Sequence, residues 1–291
     1  MLATLRLHWQ AMHYPKFFQH PESGTCLRLH VVGGFTSPND WIHLGYCAAH
    51  WADGSVYIRP NSAIELQGVT DKAQLAAELD KLELLSFHIP VLASPLAPAA
   101  QQAARQLTAH LNTEQPGLES LAITTDADDL PVSAAQVSMQ LLDDATLNIT
   151  HSPATNSPTA GLSLADAAAH LQRLGALRTE ERSTEAKGTE AKGTGAAGVE
   201  LAAEPGPIGW LDEHQAEGVV DLGAGVHQGA IPAQFAQLIG QLEVNITVTP
   251  WGGLVFHDIA EGDAEVVLRV LAPRGFIFDI NSPLLRDGEA D

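Results

Sequence analysis

Basic residues are scarce in this sequence. Only 15 Lys and Arg stand against 35 Asp and Glu over 291 residues, a formal net charge of −20 with histidine neutral. A surface this acidic repels nucleic-acid phosphates and the anionic face of a membrane, which excludes both as partners. Cysteine is scarcer still, with Cys26 and Cys47 alone. Two cysteines exclude a disulfide framework and any four-cysteine zinc or iron–sulfur site built by this chain alone. No apolar run reaches the ~18 residues of a membrane span. The opening MLATLRLHWQAMHYPKFFQH lacks an apolar stretch of signal-peptide length and is interrupted by His8 and His13. The expectation is a soluble cytoplasmic protein. Its apolar fraction of 45% is ordinary, so most of the chain should bury a core, as one large domain or two to three small ones.

Composition then divides the chain. Residues 179–207 hold a tandem TEAKG followed by Gly, Ala and Pro, and nothing to bury, so they read as a flexible linker. A weaker break covers 152–162, SPATNSPTAGL. On either side of the linker the same order recurs: loop, helix, strand, turn, strand. Gly34 answers to Gly229, Pro38 to Pro232 and Pro60 to Pro250. That spacing means a duplicated half-domain and not a solenoid, whose period is ~20–50 residues.

Each half reads clearly. Ser37 suits a helix cap and Pro38 the first helical position, and Trp41, Leu44, Ala48 and Trp51 follow at helical spacing. In the second half Pro232 opens a helix striped by Phe235, Leu238, Ile239 and Leu242. Alternating strands follow, Val56 and Ile58 in one half, Val244, Ile246 and Val248 in the other. A closing helix carries Leu75, Leu79 and Leu82 in the first half, and Val266, Val267 and Val270 in the second. The plan is ferredoxin-like. The predicted fold class is therefore α+β: two ferredoxin-like half-domains, 1–97 and 208–291, around a smaller α/β middle segment, 98–178. The middle is read as helix over 101–111, strands over 121–124 and 146–150, and helix over 164–174.

Several local features invite chemistry. Seven histidines crowd the first third, and His43 and His50 lie two helical turns apart; a metal site is weighed against scattered surface and core histidines, which that spacing favours. Asp126, Asp128 and Asp129 could hold a hard cation but lack the glycine and distal glutamate of a calcium loop, and a solvated turn is favoured. Asp143 and Asp144 read as a turn in preference to an acid/base dyad. Gly223, Gly225 and Gly229 lack the spacing of a phosphate-binding loop, and GVVDLGAGVHQG aligns better with the first half's VVGG. Trp41, Trp51 and Trp251 suit packing better than a stacking platform. No residue is assigned to catalysis or as a metal ligand.

Motifs spread over both halves resemble the nitrite/sulfite reductase family, and most closely its precorrin-3B synthase branch. They are Tyr14-Pro15-Lys16, LRLHVVGG (27–34), VYIRPNSAIELQGV (56–69), VLASPLA (91–97) and VTPWGGLVF (248–256), in which Thr-Pro-Trp is the most specific. The resemblance covers roughly 14–97 and 208–286. It implies an oxidoreductase of sirohaem- and cobalamin-related tetrapyrrole metabolism, with sirohaem beside a four-iron cluster held by four cysteines. The cofactor-binding positions it implies are Arg28, Arg59, Asn61, Gln67, Thr249 and Trp251.

The chain departs from this pattern where chemistry is carried. Sirohaem bears eight carboxylates, which need paired cations. His30, Asn61, Gln67, Thr247 and Gly252 stand where the family has Arg, and Glu65 stands where it has Gln. The cluster cysteines would follow the second half, so this reads as a short form, with a partner chain required to supply them. The alternative is a non-enzymatic paralogue that keeps the scaffold for small-molecule or partner binding.

Overall fold

Alternating side chains generate the strands, and two glycine-bearing turns decide which sheet each strand joins. The computed structural model describes residues 15–111, 117–125, 130, 135–143, 146–151, 159–185, 206–211 and 217–285. The first half runs β1 (Lys16–His20), β2 (Gly24–Val31), β3 (Phe35–Thr36), α1 (Pro38–Trp51), β4 (Ser55–Arg59), β5 (Ala63–Leu66), α2 (Lys72–Leu79) and β6 (Ser86–Phe87). The middle adds β7 (Val91–Ala93), α3 (Pro98–His110), β8 (Leu121–Thr124), β9 (Val137–Asp143), β10 (Thr146–His151), β11 (Thr159–Ser163) and α4 (Leu164–Glu185). The second half runs β12 (Gly209–Leu211), β13 (Val219–Val226), β14 (Ala230–Pro232), α5 (Ala233–Gly240), β15 (Ile246–Val248), β16 (Leu254–Ala260), α6 (Glu261–Leu271) and β17 (Phe276–Ile277). The architecture is α+β, with two ferredoxin-like half-domains.

The halves exchange strands. β14 pairs with β4 and completes the first sheet, in the order β1-β2-β5-β4-β14. β3 pairs with β15 and completes the other, in the order β12-β13-β16-β15-β3. Each crossing begins in a short 3-10 turn, Val32–Gly34 or His227–Gly229. Gly34 has φ +73°, and a Cβ there would lie 2.2 Å from the Val248 carbonyl oxygen. Its counterpart Gly229 has φ +63°, and a Cβ would lie 2.5 Å from the Ile58 carbonyl oxygen. Only glycine permits that conformation and that approach together. The duplication read from these two residues is thus the point where each half reaches into the other.

One core serves both sheets. Leu27, Leu29 and Val31 of β2, Ile64 and Leu66 of β5, and Leu222, Leu254 and Phe256 of the second half bury in one cluster with Trp41. Helices α1 and α5 close over the junction, backbone against backbone: a Cβ on Gly45 would lie 2.6 Å from the Ala233 carbonyl oxygen, and one on Gly240 2.6 Å from that of Pro38. Ser37 and Asp40 form the capping box of α1. The buried Asp40 carboxylate also accepts the backbone N–H groups of Glu83 (2.6 Å) and Leu84 (3.0 Å), fixing the end of the half to its first helix. Trp41 donates its indole N–H to Thr36 Oγ1 at 2.8 Å, and Thr36 donates to the Ile246 carbonyl at 2.6 Å, which pins the exchanged β3.

The middle is a separate sheet, β11-β10-β9-β8-β7, with β7, β8 and β9 parallel and its own core under α3 and α4. Two boundaries differ from the sequence reading. β7 belongs to this sheet, so the middle begins before residue 98; Val91–Ala93 is a short, wholly buried run of the kind a parallel sheet encloses. Helix α4 continues to Glu185, into the stretch read as linker from 179, because TEERSTE contains neither Gly nor Pro to stop it. The rest of that linker to residue 205, and Asp126, Asp128, Asp129 and Asp144, lie outside the described residues. Strands β9 and β11 were not foreseen. No helix among the described residues is long and apolar enough to cross a membrane.

Gly34→Ala should lower unfolding free energy by about 3 kcal/mol or more, because strain and collision combine. Gly24 shares the positive φ but has open space around it, so Gly24→Ala should cost only about 1 kcal/mol. Urea denaturation of the two variants checks the difference.

Candidate functional site

Alternation puts a charged row on the outer face of the first sheet. Leu27 and Leu29 point to the core, which turns Cys26, Arg28 and His30 the other way. Cross-strand register then aligns Lys16, Arg28, Glu65 and Tyr57 across β1, β2, β5 and β4. Arg59, two residues beyond Tyr57 on β4, shares the face.

Glu65 is the hub. Its side chain is only 4% exposed, beneath Arg28 at 39% and Arg59 at 33%. Arg28 donates to Glu65 Oε2 from Nε (2.8 Å) and Nη2 (2.6 Å). Arg59 Nε lies 3.5 Å from Oε1, which also accepts Gln67 Nε2 at 3.0 Å. Ser23 donates in turn to Gln67 Oε1 at 2.7 Å. Each guanidinium also lies over an aromatic ring, Arg28 over Phe18 and Arg59 over Tyr57, both at 5.0 Å. A buried carboxylate is tolerated when it is paired and hydrogen-bonded, and here it holds Arg28 by two hydrogen bonds and Arg59 by an ion pair, with both arginine side chains still half-exposed. Tyr57 donates to Asp53 Oδ2 at 2.7 Å, and burial, then Asp53, pushes its phenol up to about 12.

Two opposed turns complete the region. Asn61 (φ +65°) donates its backbone N–H to the Pro250 carbonyl at 2.7 Å, so the turns carrying Pro60 and Pro250 meet. Asn61 Oδ1 and Ser62 Oγ are buried without a hydrogen-bond partner. Thr249 closes its own turn: its N–H donates to the Gly253 carbonyl at 2.9 Å, its carbonyl accepts the Gly252 N–H at 3.1 Å, and its Oγ1 accepts the Gly253 N–H at 3.0 Å. Trp251 packs against Gly206. The structure therefore gathers Arg28, Arg59 and Gln67 onto Glu65, and sets Asn61 opposite Thr249 and Trp251. Sequence reading noted Glu65 only as an added negative charge. Its role as hub needed the register that places it between the arginines.

A second polar chain was missed. On the outer face of the other sheet, His257 Nδ1 lies 2.8 Å from Asp221 Oδ2, and His257 Nε2 lies 2.7 Å from Thr247 Oγ1. Thr247 Oγ1 also accepts Gln101 Nε2 at 2.9 Å, which joins the middle segment to the second half. Thr247 is wholly buried, so this chain of groups fastens an interface and offers no accessible nucleophile. Its sequence signal was Asp221 and His257 alternating with the core-facing Val220, Leu222 and Phe256.

Nothing matches this chain among family models or curated proteins. Among solved structures, the NirA protein of Mycobacterium tuberculosis is similar, with a TM-score of 0.64 at 15% identity over 94% of this chain. The chain spans 63% of that protein's length. The likeness supports a distant nitrite/sulfite reductase fold and, at that identity, shows the fold alone.

The residues present fit neither prosthetic group of that family. Cys26 and Cys47 are both buried, and burial raises both thiols, that of Cys47 to about 12, so neither is a ready thiolate. Among the described residues of this face, Arg28 and Arg59 are already paired with Glu65, which leaves few cations for eight carboxylates.

Two outcomes are expected. Thr247→Val strands His257 Nε2 and leaves Gln101 Nε2 with only the Pro95 carbonyl, and should cost about 1–3 kcal/mol in denaturant unfolding. Burial first, then Arg28, Lys16 and His88, lowers His30 from 6.5 to about 4. The unfolded chain then takes up that proton before the folded chain does. Stability should be unaffected above pH 6.5 and fall by about 1–3 kcal/mol as pH drops from 6.5 toward 4. The difference between wild type and His30→Gln over that window, measured by urea unfolding, isolates the contribution.

Proposed function

We propose that this chain is a binding protein on the nitrite/sulfite reductase fold, and that the outer face of its first sheet takes a small carboxylate- or phosphate-bearing molecule. The observation that carries this reading is the pair of half-exposed guanidiniums held on the buried Glu65. Guanidinium N–H groups pre-oriented in this way bind a planar or tetrahedral anion at little entropic cost. Exposed Lys16 in the same row adds to the local positive potential of an otherwise acidic chain. Arg28, Arg59 and Gln67 form the binding edge in this reading, and Asn61, Thr249 and Trp251 its rim at the meeting of the two turns.

A second reading keeps the family's chemistry. An oxidoreductase of the precorrin-3B synthase type, acting in sirohaem- or cobalamin-related tetrapyrrole metabolism, would use the same face, and a partner chain would supply the cluster cysteines. The observation behind it is the hydrogen bond from Asn61 to Pro250, which joins a turn of each half at the edge of that face.

Calorimetric titration with inorganic phosphate and with succinate tests the first reading. One of the two should bind, and Arg59→Ala should weaken it tenfold or more, the scale of a lost charge-assisted hydrogen bond of about 1.5–3 kcal/mol. Absence of binding, or unchanged affinity in Arg59→Ala, removes it. A Soret band after co-expression with a sirohaem source would support the second reading instead.

A further inference from the structure

We infer that Glu65 is the specificity-determining residue of the first sheet's outer face: a built-in carboxylate that holds the inner edges of Arg28 and Arg59 and so bars polyanionic ligands. This deepens the binding reading proposed above and rests on it for the location of the ligand.

The geometry supports it at three points. First, Glu65 claims the donors that would grip a deep ligand carboxylate: both Nε and Nη2 of Arg28 converge on its single Oε2, and Nε of Arg59 approaches its Oε1. Only the remaining outward N–H groups are left. Second, Glu65 is almost wholly buried, so its charge is weakly screened and acts on anything placed over the arginines more strongly than a surface acid would. Third, its position is fixed. Gln67 donates to Oε1 and is itself held by Ser23, so the carboxylate cannot swing aside to admit a competitor. A ligand with one anionic group can use the outward edge of the pair. One with several must bring further charge down to the fixed carboxylate, with no cation among the described residues left unclaimed at that depth.

Other features carry less. The relay from Asp221 to Gln101 is sealed by the burial of Thr247. The exposed Ile42 and Tyr46 of α1 come with no indication of what would cover them.

The test uses the full chain and two probes, inorganic phosphate and the octacarboxylate uroporphyrin, read by calorimetry and porphyrin fluorescence. Wild type should bind uroporphyrin at least tenfold more weakly than Glu65→Gln. The gain should persist in 0.5 M salt, because a buried charge is screened much less than a surface one. Glu65→Met removes the charge without offering a hydrogen-bonding replacement and should show the same gain, which covers failure of the Gln variant to fold. Equal uroporphyrin binding by wild type and both variants would overturn the inference. If phosphate binds wild type but neither variant gains uroporphyrin, the specificity role fails while the binding reading stands. If the variants gain uroporphyrin although phosphate binds none of them, Glu65 excludes polyanions as inferred and the small-anion reading falls.

Discussion

The close approach of two backbones at the junction of the halves is the constraint on which everything else rests. Gly34 sits against the Val248 carbonyl and Gly229 against that of Ile58, so β3 and β14 can each cross into the opposite sheet. A side chain at either glycine would hold the strands apart. The shared core around Trp41 would then open, because both sheets and the α1–α5 pair close on it from the same junction. The exchange also sets the functional face. It brings the Pro60 turn against the Pro250 turn and fixes β4, which carries Tyr57 and Arg59, between β5 and β14.

The two outer faces have diverged in chemistry while the backbone stayed parallel. In the first half the central positions of β2 and β5 are Arg28 and Glu65; in the second, the paired positions of β13 and β16 are Gly223 and Val255. One face is charged and open at its arginines. The other is tied to the middle segment through Thr247 and Gln101. Duplication supplied a symmetric frame, and side chains then gave one face a candidate binding role and the other a fastening role. Likeness of fold to a larger protein therefore says little about chemistry here, since function resides in the side chains placed on the fold.

The fold was legible in the sequence wherever pattern is local. Helical spacing from Trp41 to Trp51, alternation at Val56 and Ile58, and the matched Gly34 and Gly229 each report on a few neighbouring residues. The strand exchange was not legible, because β3 and β14 are two and three residues long and their partners lie in the other half. Similarly, Arg28, Arg59 and Gln67 were identified through a resemblance, yet their convergence on Glu65 depends on cross-strand register, which no single segment encodes. The His257 relay was hidden for a further reason. Its four members come from three strands and a helix of the middle segment, and only tertiary packing brings them within hydrogen-bond reach.

The exchanged strands bear on how the chain is made. Thr36 meets Ile246, a partner 210 residues away in sequence. At a synthesis rate of roughly 5–20 residues per second, that partner leaves the ribosome roughly 10–40 s after Thr36 does. Throughout that interval the emerged first half has a bare edge at β4, the α5-facing side of α1 uncovered, and β3 with nothing to pair against. A nascent chain in that state needs protection from neighbours with similar edges. Assembly of the protein is thus timed by its last strands, and the half made first is the one that waits.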